Sequence, residues 1–183
     1  TVVMEDACFK DPHMRRIVTT VLSPYIDIFS INEDELQDRF GQQIDIFNPA
    51  HVAKAIRTIY SQVNIPTLIC HSAQWTLAYG NITENILNAL KSGMLMAATR
   101  FRLGNDYDVS DFNETGRMPD SREGTTFAKD ISKEFPQESF VCLPCKDLSF
   151  VKTPTTIGLG DSFVGGMLPC LLPPDLAEKS RFK

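Results

Sequence analysis

Four residues near the C-terminal end, Gly158-Leu159-Gly160-Asp161, have types and spacing that suit phosphoryl chemistry. Glycines let the backbone approach a ligand closely, and the apolar positions Phe163, Val164 and Met167 that follow predict a helix opening there. The first N–H groups of a helix have no partners within it, and together with the helix dipole they favour anions. Such a turn can hold the oxygens of a phosphoryl group as charge shifts during transfer, with Asp161 placed to take a proton from an attacking hydroxyl. The same four residues also suit an ordinary strand-to-helix turn whose aspartate is favoured by the dipole alone. Elsewhere, Asn32-Glu33-Asp34-Glu35 reads as a capping-type helix start with solvated carboxylates. Cys142-Leu143-Pro144-Cys145 has no second Cys pair or His pair to complete a metal site and lies at a strand end, so structural thiols are expected.

These residues need elements to position them. An opening strand over 1–4, a polar turn at Lys10-Asp11-Pro12 and a helix carrying Met14, Ile17, Val18 and Val21 to about Leu22 begin the chain. Pro24 closes that helix, and 26–31 reads as the next strand, leading directly into Asn32. The C-terminal end of a strand is where open α/β sheets bind ligands. Asn48-Pro49 starts a helix with Val52, Ala55, Ile56 and Ile59 on one face. A strand over 67–70 and its neighbour over 75–79 follow, then a long helix over 83–103. Residues 104–124, rich in Asp, Asn, Gly and Ser, are expected to be irregular. A helix over 125–135 and a strand over 139–143 precede the glycine motif. Strands alternating with helices predict one layered α/β domain with a mostly parallel sheet.

Composition narrows the functions available. With 183 residues, 43% hydrophobic, the chain suffices for one substantial core. Its 18 Lys and Arg against 23 Asp and Glu form no basic run, which argues against nucleic acid as a partner. No stretch approaches the roughly 18 apolar residues of a membrane-spanning helix, and no export signal opens the chain. Five scattered cysteines (Cys8, Cys70, Cys142, Cys145 and Cys170) do not suit a disulfide framework, so a reducing cytoplasm is expected. The sequence opens Thr-Val-Val-Met-Glu, as if inside a strand, which suggests a piece of a longer protein.

The stretch 150–167 resembles the signature of the ribokinase (PfkB-like) superfamily, in which Gly-x-Gly-Asp at a helix start forms the anion hole and the Asp is the base. Pro154-Thr155-Thr156-Ile157-Gly158-Leu159-Gly160-Asp161 is most similar to the ADP-dependent sugar kinase branch, the glucokinases and phosphofructokinases, with Ser162 where a Thr is usual. Asn32-Glu33-Asp34-Glu35 is similar to the superfamily's Asn-x-x-Glu motif, whose Asn and Glu organise Mg²⁺ and its water shell; Mg²⁺ prefers oxygen ligands and keeps several waters. The branch's His-x-Glu motif matches Val3-Met4-Glu5, where the Glu is present and the His is not. Leu68-Ile69-Cys70-His71-Ser72 resembles a family strand ending in His-Thr, and Met96-Ala97-Ala98-Thr99-Arg100 with Gly104 resembles its Ala-x-x-Arg helix end.

The resemblance spans nearly the whole chain. It implies that residues 1–183 are the C-terminal, nucleotide-binding part of a three-layer α/β/α ribokinase-like domain, with the family's N-terminal part and lid missing. It further implies that Asp161 is the catalytic base and that Gly158, Leu159 and Gly160 help form the anion hole. Asn32, Glu35 and Glu5 would hold Mg²⁺, while His71 and Arg100 would meet the nucleotide; a lone His or a surface ion pair is the structural counterpart of the last two. The implied partners are ADP or ATP and a sugar or sugar phosphate, ADP being favoured by the Thr-Ile-Gly-Leu-Gly-Asp string. An ATP-dependent PfkB-type kinase and a non-catalytic nucleotide- or phosphosugar-binding module are the rivals. A Rossmann dehydrogenase lacks the early Gly-x-Gly-x-x-Gly it would need. Because the family's acceptor residues lie largely in its N-terminal half, the chain alone is expected to bind nucleotide without phosphorylating sugar.

Overall fold

In a computed structural model of the protein, which describes residues 1–7, 9 and 11–172, five strands lie side by side in their order along the sequence. Cys8 and Lys10 fall outside the described residues. β1 (Val3–Glu5), β2 (Ile28–Asn32) and β3 (Thr67–His71) run parallel; β4 (Trp75–Gly80) is antiparallel to β3, and β5 (Phe140–Pro144) is antiparallel to β4. Four of the five strands therefore share one direction. Their pairing places Glu5 opposite Ser30 and Asn32 opposite His71, so the chemistry-bearing residues converge at the C-terminal ends of the parallel strands.

The two-residue period of the strands sorts side chains to two cores. Phe29, Ile31, Leu68, Cys70, Trp75 and Leu77 face one side, where they meet Leu36 of α2 (Glu33–Phe40), Ile56 of α3 (Pro49–Val63) and Phe127 of α6 (Arg122–Glu134). Trp75 stacks on Phe127 at 4.8 Å between centroids. Ile28, Ile69 and Ala78 face the other side and pack on Leu90 and Met94 of α4 (Glu84–Leu103) and Phe163 of α7 (Leu159–Met167). Helices thus cover both faces, giving the three-layer α/β/α arrangement. Among the described residues, no helix is long and apolar enough to cross a membrane.

The first helix, α1 (Pro12–Ile17), continues into a wide π turn at Val18–Leu22 and a 3₁₀ turn at Ser23–Tyr25 before β2. The segment 104–124, expected to be irregular, instead holds α5 (Val109–Arg117) and the start of α6. Apolar periodicity is sparse there, and the stabilising signal is end chemistry. Asp108 accepts from the N–H groups of Ser110 and Asp111 at 2.7 and 3.1 Å, while Asp111 accepts from the Asp108 N–H at 3.0 Å. Ser121 likewise caps α6 by accepting from the Gly124 N–H, moving its start ahead of the expected residue 125.

α7 is held against α4 by backbone contact. A Cβ added at Gly166 would lie 2.7 Å from both Ser92 O and Met96 Cβ, and one added at Gly93 would lie 2.7 Å from Phe163 O. At Gly165, one residue away, an added Cβ would meet nothing within 4 Å. Gly166→Ala is therefore expected to destabilise the protein by about 2 kcal/mol through overpacking. Gly165→Ala is expected to be neutral or to stabilise by up to about 1 kcal/mol through helix propensity. Urea denaturation of the two variants checks the contrast.

Candidate functional site

Among the described α-helices, α1 to α6 each begin with a side chain bonded to a first-turn N–H: Asp11, Asn32, Asn48, Thr83, Asp108 and Ser121. α7 has no side-chain cap. Its N-cap is Gly158, in the left-handed region at φ 73°, a conformation that glycine adopts without penalty. The N–H groups of its first turn have no intrahelical acceptors. They are left to whatever occupies the space before them.

The approach to this helix is fixed from α4. The Arg100 Nε donates to Ile157 O at 3.1 Å and its Nη1 donates to Asn105 Oδ1 at 2.6 Å, while the Thr155 N–H donates to Phe101 O at 3.0 Å. The guanidinium also lies against Gly158, 3.3 Å from where a Cβ would stand. Through its Nε, Arg100 therefore ties the carbonyl that precedes the glycine turn to the end of α4.

Before α7 opens a cavity of about 710 Å³, the size of a small-molecule site. Gly158, Leu159 and Gly160 form part of its wall, and Asp161 follows Gly160 on the exposed side of the helix. His71 also lines the cavity, stacked on Phe163 of α7 at 4.4 Å between centroids. Burial lowers its pKa to about 4, so it meets a ligand as a neutral imidazole. Among the described residues, His71 Nε2 and its cross-strand neighbour Thr76 Oγ1 are enclosed and find no hydrogen-bond partner, an arrangement that a polar ligand could complete. Thr76, Glu33, Gln74 and Lys146 also line the cavity and were not expected from the sequence. For Thr76, the register of the β3–β4 hairpin opposite His71 was the available signal.

Glu5 stands across the turn from α7. A Cβ on Gly160 would lie 2.4 Å from Glu5 Oε1, so the glycine is what admits the carboxylate. Burial, then the negative charges of Asp161 and Glu35, push the Glu5 pKa up to about 7. These three carboxylates share one field although they come from β1, α2 and α7. Asn32 caps α2, accepting from the N–H groups of Asp34 and Glu35 at 2.9 Å each, and Glu35 Oε2 accepts from the Asn32 N–H at 2.9 Å. The Asn-x-x-Glu motif is thus a capping box that also places a buried carboxylate, Glu35, near Glu5.

Among the described residues, no three Asp, Glu, His or Cys side chains are arranged to cage a metal ion directly. The donors present are hard carboxylate oxygens whose mutual repulsion a cation would relieve. That set fits Mg²⁺ held largely through its own waters. Cys142 and Cys145 lie on β5 and just beyond it; burial raises both thiols, that of Cys145 to about 12, so they are inert.

No protein-family model matches the sequence, and no curated protein matches it. Solved structures do. A phosphofructokinase from Pyrococcus horikoshii OT3 with AMP superposes with a TM-score of 0.76 at 18% identity, covering 98% of this chain and 43% of that one. A hypothetical ADP-dependent phosphofructokinase from the same organism gives 0.75 at 19% identity, with the same coverage. The chain has the fold of the ADP-dependent phosphofructokinases. An ADP-dependent kinase in complex with fructose-6-phosphate and ADPβS shares that fold with a TM-score of 0.72 at 14% identity, covering 91% of this chain and 43% of that one. The chain thus spans less than half the length of the phosphofructokinase-fold structures it matches.

The raised Glu5 pKa has a consequence for stability. Its carboxyl binds a proton more tightly in the folded state, at about 7, than at the ordinary value of 4.5 expected when unfolded. The stability that this group contributes is therefore fully present below pH 4.5 and is lost as pH rises through 7. Glu5→Gln is expected to leave stability unchanged near pH 4 and to raise it at pH 8. After solvent screening the gain is on the order of 1 kcal/mol. Thermal unfolding of both proteins at the two pH values measures it.

Proposed function

We propose that the chain is the nucleotide-side portion of a Mg²⁺-dependent sugar kinase, transferring the terminal phosphoryl group of a nucleotide, ADP in preference to ATP, to a hydroxyl of a sugar or sugar phosphate. The observation that carries this reading is the uncapped N-terminus of α7, which opens on the cavity and has an aspartate in its first turn. The shared fold of the ADP-dependent phosphofructokinases supports it.

In this reading the nucleotide occupies the cavity with its phosphates toward 158–161. The first-turn N–H groups of α7 donate to the oxygens of the transferring group, where their preorganised dipoles act most strongly on the charge that develops in the transition state. Asp161 accepts the proton of the acceptor hydroxyl as that oxygen bonds to phosphorus and the bond to the leaving nucleotide breaks. His71 and Thr76 hydrogen-bond the nucleotide on the cavity's strand side, and Arg100 keeps the glycine turn in its donor-presenting shape. Mg²⁺, when bound, would neutralise phosphate charge; Glu5 and Glu35, with Asn32 fixing the start of α2, would hold its waters.

Asp161→Asn in the full-length protein removes the proton acceptor while preserving shape. It is expected to lower kcat about 10³-fold with nucleotide affinity within about threefold of wild type. Parallel assays with ADP and ATP as donor are expected to show turnover with ADP, and retained turnover by the variant would remove Asp161 from the mechanism.

A further inference from the structure

Asp6 and Arg39 form an ion pair almost sealed from water. The Arg39 Nη2 donates to Asp6 Oδ1 at 2.9 Å and its Nε donates to Oδ2, with the two side chains only 5% and 3% exposed, Arg39 first. The guanidinium also stacks over the Phe29 ring, 4.9 Å from its centroid. Each partner has a notable neighbour. Asp6 directly follows Glu5, and its N–H donates to Ser30 O at 2.9 Å, extending the β1–β2 ladder. Arg39 lies in the last turn of α2, whose first turn holds Glu35.

Stability alone does not account for such a pair. Removing two charges from water costs about as much as their attraction returns, and apolar residues of the same volume often serve equally well. What the pair does in this fold is mechanical. β1 has three residues and ends in Glu5, whose carboxylate is pressed against Gly160 and repelled by its acidic neighbours. A short strand ending in a repelled carboxylate tends to move away from the charge that repels it. A bidentate guanidinium is geometrically strict and resists that displacement.

We propose that Asp6 and Arg39 are positioning residues that lock the end of β1 onto α2, holding Glu5 beside Glu35 and Gly160 so that these carboxylates act together on a metal-bound nucleotide. The inference rests on the proposed function, because it concerns the same carboxylates. It adds two residues that do not touch the ligand.

The test is calorimetric titration of the full-length protein with ADP, with and without Mg²⁺. The ratio of the two affinities measures how well the carboxylates cooperate with the metal, which a purely structural role would not change selectively. Single removal of either charge strands the other in the interior and can unfold the protein, so the main variant is the apolar pair Asp6→Leu with Arg39→Met, accompanied by Arg39→Lys. Both are expected to keep metal-free ADP affinity within twofold of wild type and to lose at least tenfold of the Mg²⁺ enhancement. Lysine is expected to fail because it keeps the charge but not the two-pronged geometry. An unchanged enhancement in the folded apolar pair, or equal losses with and without Mg²⁺, overturns the positioning role. If the apolar pair does not fold, Arg39→Lys decides by the same criteria. A wild-type protein whose ADP affinity ignores Mg²⁺ overturns the metal-site reading itself, and this inference with it, before any substitution is compared.

Discussion

The contact between α4 and α7 at Gly93 and Gly166 is the constraint on which the site depends. With no side chains between them, the two helices meet backbone to backbone, and the position of α7 is set by the rigid body of a 20-residue helix. That contact delivers the N-terminus of α7 to the ends of the parallel strands. Close-packed interiors transmit small displacements, so a shift at this seam would carry to the glycine turn one helical length away.

α4 serves the site a second time at its C-terminal end. Arg100 and Phe101 bind the backbone of 155–157, so the same helix that locates α7 also shapes the turn preceding it. Preorganised donors need no reorientation when a ligand's charge arrives. Leaving α7 uncapped sacrifices the stabilisation that a side chain supplies to each of the other helices, and so keeps its donors available.

Electrostatics work against the fold on the opposite side of the turn. Glu5 is partly buried and lies within range of both Asp161 and Glu35, and its raised pKa records the cost, of burial first and of those charges second. The capping box of α2 offsets part of it by binding Glu35 to the Asn32 N–H. The buried Asp6–Arg39 pair ties the strand end to the same helix. In the proposed function, a cation bound through its own waters would relieve these like charges.

Much of this was legible in the sequence because it depends on local rules. Asn32 before Glu35, Asn48 before Pro49 and Gly158 before Asp161 mark helix starts through hydrogen bonds or backbone freedom within a single turn, and the short apolar runs in 28–31 and 67–70 mark strands buried on both faces. α5 escaped that reading because its signal was a polar capping box rather than an apolar stripe. Distances between elements are another matter. That Glu5 abuts Gly160, that Thr76 stands beside His71, that Arg100 holds a carbonyl and that Asp6 meets Arg39 follow from sheet register and helix packing, which bring together residues as many as 155 positions apart. The sequence by itself determined which chemical groups were present and which local turn each occupied. Only the tertiary structure decided which of them share a field, because electrostatic coupling and close contact fall off over a few ångströms of space, whatever the separation along the chain.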